Sequence, residues 1–276
     1  RKALSNIMNF NEIADLISSK IEENFTDLQK QYFDEKKKTL TKFFILDNLL
    51  PDELVIKAYE NLSEENFFLR DTFREKKLTL AKLNELPNSI IGNVTDAFQA
   101  EQVLKIISKL TGIDDLYTDP MLYTGQTFKM NKGHFVNPHI DNSHDTNKHR
   151  YRRLNLLFYI TPNIQESDGG NFELWDDRVK TPLKICSKFN RLVVMETTKH
   201  SWHSVDPVKS NIMRCCISNY FFSLGSPTKH EYFHVTSFLG RPEQRFRRLY
   251  GRIDNMLRNS FVKYTGFSRG KSVTEE

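Results

Sequence analysis

Pro138-His139-Ile140-Asp141 sets an imidazole and a carboxylate two residues apart in an extended stretch. Residues i and i+2 of a strand point to the same face, so His139 and Asp141 reach one metal ion together. Such a pair is weak by itself, since a chain with eight His contains one by chance, and its bland reading is a surface turn. What raises it is His203, in His200-Ser201-Trp202-His203-Ser204-Val205-Asp206-Pro207, a second β-like segment that a barrel brings across. Two imidazoles and one carboxylate on one side of a metal leave its other positions open, which suits non-haem Fe(II) and oxygen chemistry. Arg214 follows inside the apolar run from Ile212 to Phe222. A guanidinium in a buried strand is costly unless an anion meets it, and its planar fork fits a carboxylate. Ser218, at i+4, shares its strand face and adds a hydroxyl. The competing reading is an internal Asp or Glu partner for Arg214; the metal candidates nearby favour a bound anion.

These residues need a scaffold. From Met121 to Ser223 short runs rich in Tyr, Phe, Ile, Leu and Val alternate with Gly125, Asn131-Lys132-Gly133, Asp168-Gly169-Gly170 and Asp206-Pro207, the texture of an all-β region. Before it, Phe10, Ile13, Ala14, Ile17, Ile21, Phe25, Leu28 and Tyr32 fall at helical spacing and predict one amphipathic N-terminal helix. Phe43 to Leu46 predicts a strand, and Pro51 at the first helical position opens a second helix. Ser63 to Pro87 shows no clear pattern, and a third helix is predicted from about Thr95 to Leu110 with Gly112 as its stop. Pro242 starts a last helix whose Phe246, Leu249, Tyr250, Ile253, Met256 and Leu257 form a stripe, predicted to pack on the barrel or on a second subunit. The expected divisions are an N-terminal helix over 1–38, a β domain with its supporting helices over 39–224, and a basic helical extension over 225–276.

The composition fits this plan: 276 residues with 38% hydrophobic and 27% charged describe a folded chain long enough for one large core. No run approaches the roughly 18 apolar residues of a membrane span, so no membrane role is expected. A net charge of +5 is too mild to indicate nucleic acid. Cys186, Cys215 and Cys216 are odd in number, with two adjacent, which excludes a disulfide framework and points to a reducing compartment. Arg1 to Asn6 show no apolar leader, so a cytoplasmic location is expected.

The motifs, in order, resemble the prolyl 4-hydroxylase-like branch of the Fe(II)- and 2-oxoglutarate-dependent dioxygenases. Phe44 to Glu53 is similar to that domain's strand-to-helix opening, and His139-Ile140-Asp141 to its first metal motif. Arg153 to Ile160 resembles the following core strand, Gly169-Gly170-Asn171-Phe172-Glu173-Leu174 the double-glycine turn, and His203-Ser204-Val205 with Arg214 the distal ligand and cosubstrate anchor. The resemblance implies a mainly β core with flanking helices, a double-stranded β-helix of the jelly-roll or cupin-like kind. It further implies that His139, Asp141 and His203 hold Fe(II), and that Arg214, with Tyr159 and Ser218, meets the far carboxylate of 2-oxoglutarate. Oxygen is then the co-reactant and ascorbate the reductant, and the reaction is hydroxylation of a C–H bond. A carboxylate at 141 favours hydroxylation over halogenation, because related halogenases leave that coordination position open for chloride, while desaturation and ring closure stay open as outcomes.

Other features receive blander readings. The polar, basic stretch Asn142 to Arg152 sits at the rim where substrates enter and reads either as a substrate loop or as a solvated one. His134, His144 and His149 recur with His139 every five residues, a spacing that suits neither a strand face nor a helix face. Trp202 and Tyr220 read as core or as pocket lining. Nine basic residues between Arg241 and Lys271 permit a nucleic-acid face, but no second arginine follows the anchor, as it does in nucleic-acid demethylases, so nucleic acid is not the expected partner. A homodimer through the terminal helices is the expected assembly. A catalytically silent barrel and a cosubstrate-independent cupin-type metalloenzyme are the alternative functions. Peptidyl, prolyl-type substrates and small molecules both fit these motifs.

Overall fold

The computed structural model describes residues 8–36, 38–64, 67–80, 89–119, 127–145, 147–228 and 230–265. The turn expected at Gly125, the β-region start at Met121 and the terminal basic residues Arg269 and Lys271 lie outside them, as do Arg1 to Asn6. Among the described residues no helix is long and apolar enough to cross a membrane.

The predicted N-terminal helix is two, α1 (Phe10–Glu23) and α2 (Phe25–Tyr32). Asn24 makes the break: its side-chain amide donates to the Lys20 carbonyl at 2.8 Å, satisfying an oxygen that a continuing helix would have used. β1 (Phe43–Asp47) lies where expected, and α3 (Asp52–Glu64) begins one residue after Pro51. The unpatterned stretch contains a hairpin, β2 (Phe67–Asp71) and β3 (Glu75–Leu80). The predicted third helix is also two, α4 (Ile90–Phe98) and α5 (Glu101–Thr111), the second ending at Gly112 with φ 69°. Gln99 stands at their junction, where its side chain donates to Asn219 Oδ1 at 2.9 Å and accepts from the Asp119 amide at 2.7 Å. Tertiary bonds thus override local helix spacing.

The β region supplies β4 (Leu116–Tyr117), β5 (Thr127–Met130), β6 (Phe135–Ile140), β7 (Tyr151–Tyr159), β8 (Phe172–Trp175) and β9 (Pro182–Ile185). It continues with β10 (Arg191–Glu196), β11 (His203–Val205), β12 (Arg214–Ser223) and β13 (Ser237–Phe238). Every pairing is antiparallel, in the order β1-β10-β7-β12-β5-β3-β6-β11-β8-β9, with β2 on β3, β4 on β12 and β13 on β6. The sheet curls: Tyr159 and Cys216 from its middle share one apolar cluster with Phe172, Leu174 and Ile185 from its far end. This is the double-stranded β-helix that the motifs imply.

Strand alternation sorts side chains between two sides of the sheet. On β7, Leu154, Leu156 and Phe158 join the helices α1, α3, α4 and α5 in one core, whereas Asn155, Leu157 and Tyr159 face the inner cavity. On β12, Cys215, Ile217 and Phe221 go to the helices, and Arg214, Ser218 and Tyr220 to the cavity. Burial pushes the thiols of Cys215 and Cys216 up to about 12, which leaves them unreactive apolar fillers.

The last helix, α6 (Arg245–Thr265), corrects one of the two expected packings, that on the barrel. Its apolar stripe does not lie on the barrel: Phe246 is 91%, Leu249 60% and Met256 62% exposed. The opposite face docks instead. Asn255 exchanges hydrogen bonds with the backbone of Phe238, Asn259 accepts from the Val235 amide, and Arg248 donates to the Val179 carbonyl. Gly251 sits against β13 so closely that a Cβ there would meet the Phe238 carbonyl at 2.7 Å. Backbone groups at the end of the sheet need partners, and this polar helix face provides them.

Candidate active site

β6 and β11 are hydrogen-bonded neighbours with His139 directly opposite His203, so pairing alone brings the two imidazoles together. Their ring centroids are 4.1 Å apart. Asp141, just past the end of β6, faces both: Oδ1 is 3.7 Å from His139 Nε2 and Oδ2 is 3.6 Å from His203 Nε2. Each imidazole hydrogen-bonds through Nδ1 to a backbone oxygen, His139 to Asn137 at 3.0 Å and His203 to Ser201 at 2.9 Å. That bond places the proton on Nδ1 and leaves both Nε2 lone pairs aimed at the carboxylate. Phe238 stacks on His139 with centroids 4.9 Å apart and fixes the ring plane.

Electrostatics prepares His139 and Asp141 for the same role. Burial, reinforced by His203, pushes His139 down to about 3, so it is neutral and able to ligate. Burial would raise Asp141, but Arg152, His203 and His139 outweigh it and hold the carboxyl at about 2. Asp141 Oδ2 is nevertheless buried without a hydrogen-bond donor. A buried carboxylate oxygen facing two imidazole Nε2 atoms fits a divalent cation, which would satisfy all three. Among the described residues, this is the only group of three or more His, Cys, Asp and Glu side chains with metal-binding spacing. His144, one of the five-residue series, packs its ring on Tyr151 at 4.2 Å instead.

The triad opens onto a cavity of about 580 Å³. Arg214 is on its wall and 1% exposed. Among the described residues no carboxylate pairs with it: Nε donates to the Gly170 carbonyl at 2.8 Å, Nη2 to Ser187 Oγ at 3.1 Å, and Nη1 lies 3.6 Å from Met130 Sδ. The double glycine makes this possible. Gly170 has φ 70°, and a Cβ there would press on Arg214 Cδ at 3.2 Å. Tyr159 packs its ring 4.9 Å from the guanidinium, and its hydroxyl is buried with no hydrogen-bond partner among the described residues. Burial raises that hydroxyl far above its ordinary range, so it stays a neutral donor. Ser218 also faces the cavity, and its hydroxyl donates to Asn155 Oδ1 at 3.2 Å.

The structure also brings in residues that the sequence did not single out. Ser187 orients Arg214, although nothing in its neighbourhood signals this. The β2–β3 hairpin contributes Leu69, Arg70, Arg74 and Lys77 to the cavity wall. Arg152, the last residue of the stretch read as a rim loop, is inside β7 and only 3% exposed, with its guanidinium carbon 4.0 Å from the Tyr220 ring centroid. Tyr220 thus lines the cavity, whereas Trp202 packs in a core cluster with Trp175, Val179 and Leu239.

Comparison with known proteins points the same way. The model of the 2OG-Fe(II) oxygenase superfamily matches residues 125–222, a span that contains all three metal candidates, Tyr159, Arg214 and Ser218. A prolyl 4-hydroxylase from Phytophthora capsici superposes with a TM-score of 0.53 at 16% identity, covering 90% of this chain and 77% of that one. A prolyl-4-hydroxylase from Pseudomonas putida superposes with a TM-score of 0.51 at 14% identity, covering 75% of this chain and 100% of that one. No curated protein matches the chain.

Proposed function

We propose that this chain is a member of the 2OG-Fe(II) oxygenase superfamily and a hydroxylase that oxidises a C–H bond at the expense of O2 and 2-oxoglutarate. The observation that carries the reading is an Asp141 carboxylate set between two imidazoles together with a buried Arg214 in the same cavity that, among the described residues, no carboxylate pairs. His139, Asp141 and His203 would hold Fe(II). Arg214 would fork onto the distal carboxylate of 2-oxoglutarate, Tyr159 would donate its free hydroxyl to the same group, and Ser218 would lie beside it. Bound there, the metal and cosubstrate supply O2 activation coupled to decarboxylation of 2-oxoglutarate to succinate and CO2, with the second oxygen atom passing to the substrate C–H bond.

The chain's own part is position and shielding. The Nδ1 bonds to Asn137 and Ser201 hold both ligand rings in one tautomer, and the stacked Phe238 keeps His139 from turning. Phe128, Leu157 and Phe172 line the cavity and exclude water from the reacting carbon. A catalytically silent barrel would have no use for an unpaired guanidinium at this depth, and a cosubstrate-independent metalloenzyme would leave Arg214 without an anion. Succinate release from 2-oxoglutarate in air with Fe(II) tests the proposal. The full chain should produce it, and Asp141→Ala should lower the rate at least 10²-fold; equal rates in both would remove Asp141 from the site.

A further inference from the structure

Arg152 is a second buried guanidinium in the cavity, and the reaction proposed above gives it no task. It is 3% exposed, lines the cavity and lies against the iron-side carboxylate, with Nη1 3.5 Å from Asp141 Oδ2. Its plane rests on Tyr220. Steering Asp141 would account for one nitrogen only. Nε and Nη2 are buried with no hydrogen-bond partner among the described residues. Leaving two charged N–H groups unpaired at this depth costs several kcal/mol by general estimates, so their natural complement is an anion that arrives with a ligand.

Charge accounting names the class of that ligand. With Fe(II) and 2-oxoglutarate in place, the metal and Arg214 are balanced by Asp141 and the two cosubstrate carboxylates, and Arg152 keeps an unmatched positive charge. The other cations of the wall have carboxylates outside the metal site: Lys77 and Arg70 share Glu75, and Arg74 and Arg258 share Asp254. The cosubstrate anchor does not compete for the same anion, because Arg214 pairs in register with Met130 and Arg152 with Phe222, at opposite ends of β12. An internal prolyl position in a peptide carries no charge to offer.

We infer that Arg152 receives an acidic group of the substrate, and that the substrate is a small organic acid oxidised within a few bonds of that group. The inference rests on the reaction class proposed above. Its geometry follows from the contact with Asp141: one ligand bond, the 3.5 Å gap, the width of the guanidinium and one hydrogen bond place the anion at most roughly 11 Å from the metal. A cavity of about 580 Å³ is of a size that small ligands fill.

The test uses the full chain loaded with Mn(II) and saturating 2-oxoglutarate, so that Arg214 is occupied, and reads paramagnetic broadening of the methyl resonance of millimolar acetate or acetamide. Wild type should broaden acetate at least tenfold more than its neutral isostere. Arg152→Gln should bring acetate to the acetamide level, and Arg152→Lys should restore part of the effect as a point charge without the fork. Methylphosphonate run beside acetate tells which acid is preferred, and selective broadening of either supports the inference. Equal broadening of acetate and acetamide by wild type, which needs no variant to fold, overturns it. Acetate broadening that survives Arg152→Gln, or that vanishes as 2-oxoglutarate is raised further, also overturns it. If wild type with Fe(II) releases no succinate from 2-oxoglutarate, the reaction class fails; if succinate forms while acetate and acetamide behave alike, only the role of Arg152 fails.

Discussion

Arg214 brings a full positive charge to a cavity wall where, among the described residues, only a carbonyl, a hydroxyl and a thioether meet it. Truncating it removes the fork that a distal carboxylate would use, a loss worth about 3 kcal/mol for a desolvated charge pair. Arg214→Ala should therefore raise the 2-oxoglutarate KM by about 10²-fold, a factor set by that energy. Tyr159→Phe, which removes one neutral hydrogen bond, should raise it by only about fivefold. Steady-state kinetics in 2-oxoglutarate check both, and a KM that Arg214→Ala leaves unchanged would place the anchor elsewhere. A different titration governs acid stability. Burial pulls His234 down from its ordinary 6.5 to about 4, so between those values the unfolded chain binds the extra proton. Its contribution to stability is complete above pH 6.5 and is lost as pH falls through about 4. His234→Gln should flatten the pH dependence of Tm in that window; an unchanged slope would show that other groups carry it. At this scale the sequence was informative where residue type conflicts with setting, as with Arg214 in an apolar strand. Arg152 escaped notice because it sits among Lys148, His149 and Arg150, where another basic residue carries no contrast.

Elements explain which of these residues meet. His139 and His203 are 64 positions apart and become neighbours only through the β6–β11 ladder, and the double glycine before β8 delivers the carbonyl that steadies Arg214. Gly170→Ala would strain a left-handed residue by about 1 kcal/mol and push a methyl group against Arg214. It should weaken 2-oxoglutarate binding, measured by calorimetry on the metal-loaded protein, although residue 170 is not itself proposed to touch the cosubstrate. Unchanged affinity would mean that the Gly170 carbonyl does not set the guanidinium. On α6, Gly251→Ala should lower Tm by several degrees, because the added carbon collides with β13. Leu249→Gln with Met256→Gln should leave Tm nearly unchanged, since both side chains are already in water. The reverse order of effects would mean that the apolar stripe, not the polar face, holds the helix. Spacing identified α6 and its apolar stripe but not the face that docks on the barrel, because hydrophobic periodicity does not register backbone groups that need Asn255 and Asn259. The same blindness merged α1 with α2 and α4 with α5, whose breaks depend on Asn24 and Gln99 side-chain bonds.

At the scale of the whole molecule, a curled antiparallel sheet keeps one side for helices and the other for chemistry, and alternation on β7 and β12 enforces the division, with a register shift near Arg152 that turns this residue into the cavity. The fold class was legible because glycine and proline punctuation brackets β-rich runs, and His139 with Asp141 was legible as a candidate metal pair because its spacing matches one strand face. The β2–β3 hairpin that walls the cavity was not, since its turn through Thr72, Phe73 and Arg74 contains neither glycine nor proline. The molecule as a whole is therefore proposed to gather one metal, one cosubstrate and one acidic substrate in a single cavity between distant segments. The most direct measurement of that claim is an anaerobic titration of the metal-free chain with Fe(II) and then 2-oxoglutarate, followed in the visible range and then opened to oxygen. The account predicts a weak charge-transfer band that requires His139, Asp141 and Arg214 and that decays on oxygen with formation of succinate. Fe(II) that binds without any such band on adding 2-oxoglutarate would contradict it.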